Sequence, residues 1–392
     1  MRITSCKVMR IIINALHMHP GKSGGAETIL LELIKALRAV DKQRQYQILI
    51  WPDSEEAVRP LCSPNIGYRI VQGNLAARAR RFALRCLTKP HPTAWLTDGH
   101  ADVVHYTNAV IRIRPFRISA PLVLTMTDIQ HVYFPEYWPR EDVAFREKYF
   151  PKSVERADAV IAISEFTRRS LIEQYQCPPE KVRTIYPGVD HDRISRMLPQ
   201  ESWNRIKMEY KIPDRFLIYP AGTWPHKNHL RLIEAIKLQF DKGNRDIALI
   251  LTGIRQFNHD RIIERIAELN LQARVLHLGH PPWDELAMLY QNAQGMIYPS
   301  LFEGFGLPIV EAMAAGCPVA CSDRAAIPEI AGEAAYYFNP EDVDAISDAI
   351  ERLWLDDKLR NDLIDRGRKR SRNFDWRTFA EKTIEVYEYV AR

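Results

Sequence analysis

Two glutamates eight positions apart, Glu303 and Glu311, bracket a turn built from Gly304, Phe305, Gly306 and Leu307. Pro308 follows directly and Gly316 comes eight residues later, a pairing that suits the first turn of a helix and the position just past its end, so a short helix is expected over 308–315. The free amides and positive dipole end of such a helix hold an anion such as a diphosphate. Glycines ahead of it let backbone approach the ligand closely. Carboxylates repel phosphate but accept hydrogen bonds from hydroxyls. An acid, a glycine turn and a second acid, in that order, therefore match a ligand with phosphates in its middle and hydroxylated rings at both ends, which is a nucleotide-sugar. Either acid alone reads more plainly as an ordinary surface glutamate; the whole string is more specific.

A second piece of the same chemistry lies in "AGTWPHKNHL" (221–230), between an expected strand and an expected helix. Asn228 is expected to cap the helix over 229–240. That puts Lys227 beside a helix start after the Gly222 turn, where it would neutralise charge on a departing diphosphate; a surface lysine near a cap is the plain alternative. In "LTMTDIQHVYFPEYW" (124–138), Asp128 closes a strand, and it either orients substrate hydroxyls or only shapes the turn. His131 is a candidate beside it. Tyr133, Phe134, Tyr137 and Trp138 either stack on a sugar face or pack a lid. "SGGAETI" (23–29) has Gly24 and Gly25 ahead of a helix, without the spacing of a dinucleotide fingerprint. Asp190 and Asp192 form a D-x-D that would suit Mg²⁺, but they fall in an expected linker, and no metal site is expected.

The elements that must position these residues alternate. Short apolar runs rich in Val and Ile, suited to parallel strands buried on both faces, fall at 9–15, 46–51, 102–106, 122–127 and 158–164, then at 215–221, 247–253, 274–279, 295–300, 318–322 and 335–338. Between the first two, Ile29, Leu30, Leu33, Ile34 and Leu37 recur at helical spacing. Helices are expected at 229–240, 260–270, 283–292, 308–315 and 343–356. The rhythm predicts two doubly wound α/β domains of Rossmann type that face each other across a cleft: 1–190, then 191–370. An amphipathic helix within 371–392 returns to the first domain. In open α/β sheets ligands lie beyond the carboxyl ends of the strands, so the cleft is the expected site.

The totals agree with two domains: 392 residues, 46% hydrophobic and 26% charged, exceed what one core usually serves. The net charge of +5 is mild but uneven. Arg or Lys stands at 59, 69, 78, 80, 81, 85, 89, 112, 114 and 117, against Asp98 and Asp102 in the same stretch. The segment 75–89 alternates Arg with apolar residues and is expected to touch an anionic membrane surface; a solvated face is the alternative. No nucleic-acid motif accompanies it. Six scattered cysteines, with no CxxC pair, indicate a cytosolic chain without a disulfide framework or zinc site. The run "VMRIIINAL" is too short for a membrane span.

The quoted strings, with "GGAE" (24–27), "ADAVIAISEFT" (157–167) and "YPGVD" (186–190), resemble the E-x7-E retaining glycosyltransferases of family 4, which have the GT-B fold. The resemblance implies transfer of a sugar from a nucleotide donor to an acceptor hydroxyl with retained configuration. It implies catalytic roles for Glu303, Asp128 and Lys227. Donor contacts are implied from Gly222, Thr223, Lys227, Gly304, Phe305, Gly306, Leu307 and Glu311, and cleft positions for Gly24, Gly25, His131 and Ser164. Two positions depart from the family pattern: Thr127 replaces a common His and Thr223 a common Arg. The loop 128–139 is most similar to those of bacterial mannosyl- or rhamnosyltransferases of surface polysaccharide. GDP-mannose is thus the expected donor, UDP-sugars next, with no further cofactor. The expected acceptor is a glycan or lipid-linked glycan, and the expected location is the cytoplasm, at the inner face of the cell membrane. A binding subunit without catalysis, or a sugar-nucleotide epimerase on the same fold, are the competing readings.

Overall fold

The computed structural model describes residues 8–21, 24–71, 101–108, 110–111 and 119–392. The basic segment 75–89 lies outside the described residues. Two sheets dominate. The first has β1 (Arg10–Asn14), β2 (Gln45–Ile50), β3 (Ile66–Ile70), β4 (Val103–Tyr106), β5 (Leu122–Met126), β6 (Ala159–Ala162) and β7 (Val182–Thr184). Their spatial order is β3-β2-β1-β4-β5-β6-β7. The second has β8 (Leu217–Pro220), β9 (Leu249–Thr252), β10 (Val275–His277), β11 (Gly295–Tyr298), β12 (Val319–Ser322) and β13 (Ala335–Phe338), in the order β10-β9-β8-β11-β12-β13. Every neighbouring pair in both sheets is parallel.

The inner strands are buried throughout because helices cover both faces, which is why Val, Ile, Leu and Ala fill them without alternation. The strand order reverses between β1 and β4 in the first sheet and between β8 and β11 in the second. Those two switch points are where a doubly wound sheet opens a crevice beyond its strand ends. The loop after β8 carries Lys227, and the loop after β11 carries Glu303.

The helices used below are α1 (Gly25–Val40), α2 (Arg140–Arg156), α3 (Glu165–Tyr175), α4 (His229–Asp241), α5 (Leu307–Ala315), α6 (Val343–Leu355), α7 (Asp357–Ser371) and α8 (Trp376–Val390). Helix α8 packs on α1 of the first sheet, as its amphipathic pattern implies. Phe379, Val386 and Tyr387 on its inner face are buried, each worth about 1.5–3 kcal/mol relative to exposure. The Tyr387 hydroxyl meets Nδ1 of buried His105 at 2.7 Å, and Glu388 pairs with Arg44. One apolar cluster runs continuously from a face of the first sheet, through Phe374 and Trp376, into the second sheet. The other face of the first sheet has its own cluster around Leu124, Val160 and Leu171.

Candidate active site

The glutamate–glycine string is built as its residue types require. β11 ends at Tyr298, and the chain then turns through 299–306 into α5. Gly306 has φ of 104°, in the left-handed region, and Gly316 closes the helix with φ of 78°. No side chain caps the first amides of α5. They form an uncapped positive helix end at the switch point of the second sheet.

Glu303 lies just before that end and is only 12% exposed at its side chain. Its Oε1 accepts from Lys227 Nζ at 2.5 Å and from the Tyr298 hydroxyl at 2.7 Å. The Tyr219 hydroxyl donates to the Lys227 carbonyl at 2.6 Å, so both the backbone and the head of the lysine are held. Glu311, one turn inside α5, is buried and accepts from the Tyr290 hydroxyl at 2.9 Å. Burial pushes its carboxyl up to about 7; the Tyr290 bond works in the opposite direction.

The first domain supplies the opposing wall. A Cβ placed on Gly25 would lie 3.8 Å from Leu307 Cδ1, which sets the 24–25 loop over the start of α5. Asp128 Oδ1 accepts from the Gln130 amide at 3.0 Å, and its Cβ lies 3.0 Å from where a side chain on Gly304 would begin. Asp128 therefore stands beside the Glu303 turn. The aromatic loop bridges the two walls: Tyr133 and Phe134 pack on Phe302, and Trp138 on Trp224.

Several expected contributions fall elsewhere. Asn228 does not cap α4. It is left-handed, with φ of 60°, and its amide donates to the carbonyls of Pro299 and Pro340. Thr223 is fully buried, and its polar groups are consumed within the second domain. Its amide donates to Ile254, and its hydroxyl holds the Gln256 main chain, so nothing remains for a donor. The Ser164 hydroxyl is buried as the cap of α3, accepting from the Thr167 amide at 3.0 Å. His131 is buried against Phe150 with its Nε2 on the Tyr175 hydroxyl, inside the first domain rather than in the cleft. Burial lowers its pKa to about 4, so the ring is neutral. The Phe305 ring packs on Tyr186 and Phe374 and serves the core. Asp190 caps a short turn by accepting from the Arg193 amide, and no cluster of metal-binding side chains occurs among the described residues.

Tyr298 and Tyr290, absent from the expected site, orient the two glutamates through their hydroxyls. Tyr298 carried a signal: it ends the strand that feeds the turn, five residues before Glu303. Tyr290 carried none, since only tertiary packing brings it to Glu311.

Comparison with known proteins agrees with this fold. The family model described as Glycosyltransferase Family 4 matches residues 23–193, and that of Glycosyl transferases group 1 matches 204–370. The O-antigen chain mannosyltransferase B of Escherichia coli is 31% identical over 323 residues, covering 81% of this chain and 84% of that protein. The chain belongs to glycosyltransferase family 4. The transferase is also 29% identical over 239 residues to the O-antigen chain mannosyltransferase RfbU of Salmonella typhimurium, covering 60% of this chain and 62% of that one. Its fold is shared by Anabaena HepE solved with UDP-glucose, at a TM-score of 0.74 and 19% identity over 97% of this chain and all of the other. A glycosyltransferase from Rickettsia africae superposes with a TM-score of 0.72, at 19% identity over 98% and 99% of the two chains. This is the GT-B architecture of two facing sheets. Among the described residues no helix is long and apolar enough to cross a membrane.

Proposed function

We propose that this transferase moves mannose from GDP-mannose to a hydroxyl of a surface glycan or lipid-linked acceptor, with retention of the anomeric configuration. Mannose is supported by the names of its Escherichia coli and Salmonella relatives. The observation that carries the reading is the convergence of an uncapped helix start, Lys227, Glu303 and Glu311 at one switch point.

In this reading the diphosphate lies at the Gly306–Leu307 end of α5, and Lys227 swings to it from Glu303. Gly222, Gly24 and Gly25 line the same space. Glu311 accepts from the ribose hydroxyls and Glu303 from the sugar hydroxyls. Asp128 orients the acceptor hydroxyl. The bond between C1 and the diphosphate oxygen breaks, and its electron pair leaves with GDP. Lys227 and the helix end stabilise that charge. The acceptor oxygen then bonds to the oxocarbenium-like C1 on the same face, and its proton passes to an oxygen of the leaving diphosphate. No metal or other cofactor enters. Residues 1–190 serve as the acceptor side and 191–370 as the donor side, with 371–392 counted with the first. Contact with an anionic membrane at the cytoplasmic face, through 75–89, belongs to the same reading and is supported by the basic composition of that segment.

The test is a panel of GDP- and UDP-sugars with purified protein, scored by nucleoside diphosphate release and by NMR of the product anomer. Release from GDP-mannose alone, with the donor's configuration kept, is expected. Turnover only with UDP-sugars would overturn the donor, and an inverted product would overturn retention.

A further inference from the structure

The domains touch at three neighbouring points beside the site, through groups the transfer chemistry leaves unused. Glu329, in the short helix Ile327–Ala331 after β12, reaches across the cleft. Its Oε1 accepts from the Glu165 amide at 2.6 Å and its Oε2 from the Phe166 amide at 2.8 Å. These are the first two amides of α3 in the first domain, and the third residue, Thr167, is served by Ser164. A carboxylate from the second domain thus completes the positive end of a first-domain helix with two charge-assisted bonds. Arg370 steadies its backbone by donating to the carbonyls of Glu329 and Ile330, at 2.5 and 2.9 Å.

The Thr167 hydroxyl sits between the domains, 3.4 Å from the Thr127 carbonyl and 3.3 Å from that of Gly304. Gly304 itself does not have a positive φ, so its backbone would accept other residues. What excludes them is the partner domain: a Cβ there would lie 1.9 Å from the Thr127 carbonyl oxygen. The bare side of this glycine, expected to line the donor, also admits the opposite domain.

We infer that Glu329 is a positioning residue that latches the second domain onto the start of α3, while the bare side of Gly304 receives the Thr127 carbonyl, so that Asp128 reaches Glu303 only when the latch is made. This rests on the reading of Asp128 and Glu303 as reaction-centre groups. Glu329 bonds the first domain and is not among the groups placed on the nucleotide, so its loss changes closure rather than nucleotide binding.

The test uses the full chain and the variants Glu329→Ala, Glu329→Gln and Gly304→Ala, with small-angle scattering, turnover and calorimetric GDP affinity. Glu329→Ala and Gly304→Ala should raise the radius of gyration and lower turnover about tenfold or more. Glu329→Ala should leave GDP affinity within about twofold, because binding and closure are separate equilibria. Glu329→Gln keeps one accepting oxygen and should fall between. An unchanged radius of gyration in both the Ala variants overturns the latch, even if melting temperature or turnover falls. If the radius rises while no donor in the panel supports transfer in the wild type, the latch stands and the proposed reaction fails.

Discussion

Replacing Lys227 by methionine tests the centre of the site, because it removes one partner of a nearly dry ion pair and leaves the other in place. The side chains of Lys227 and Glu303 are 15% and 12% exposed. Removing one member of a fully buried pair costs about 3–5 kcal/mol, chiefly through the charge left behind. Residual exposure here, together with the Tyr298 hydroxyl that stays on Glu303, reduces the expected cost to about 2–3 kcal/mol. For a domain of this size that lowers the melting temperature by about 4–12 °C. The same substitution deletes the cation proposed for the diphosphate. Losing a charge-assisted bond worth about 1.5–3 kcal/mol should weaken GDP binding by about 10- to 150-fold. Thermal unfolding and calorimetry read the two effects separately. Adding Glu303→Gln should restore most of the lost melting temperature and none of the lost affinity, with a coupling of at least about 1 kcal/mol. A Lys227→Met protein with wild-type melting temperature and wild-type GDP affinity would refute this reasoning.

Two further outcomes follow from the same geometry. The Glu311 carboxyl is raised from about 4.5 to about 7 in the fold, so the folded state holds its proton more tightly, and stability falls as pH rises between those values. Glu311→Gln should therefore gain melting temperature over the wild type at pH 8 but not at pH 4.5. Its donor KM should exceed the wild-type value at pH 8, where the ionised carboxylate accepts ribose hydroxyls best, and the gap should narrow toward pH 6. For the membrane proposal, Arg78, Arg80 and Arg81 changed together to Glu should abolish sedimentation with phosphatidylglycerol vesicles; equal sedimentation of both proteins would remove it.

The inner strands were legible because burial on both faces leaves continuous apolar runs. Two edge strands were not. Ile66–Ile70 carries Gly67 and Arg69, and Arg183 interrupts Val182–Thr184, so neither presents such a run. Helix α7 was missed for a related reason: in "DKLRNDLIDRGRKRS" few residues are apolar, and only Leu363, Gly367 and Ser371 are buried. The turn before α5 could be read to within a residue, since Gly306, Pro308 and Gly316 each answer a local backbone demand. Side-chain partners were harder to foresee. Asn228 is a good capping residue by type, yet two carbonyls from distant segments claim its amide. Ser164 and Thr223 stand at the right places in the chain, but the backbone of Thr167, nearby, and of Gln256, far along the chain, engages their hydroxyls. The need for glycine at 304 lies in the other domain, where nothing in the local sequence points.

The most direct measurement is a crystal structure of the transferase soaked with GDP. The diphosphate is expected on the free amides at the start of α5, with Lys227 turned from Glu303 onto a phosphate oxygen and the ribose hydroxyls on Glu311. GDP bound away from residues 303–311, with the Lys227–Glu303 pair intact, would contradict this placement.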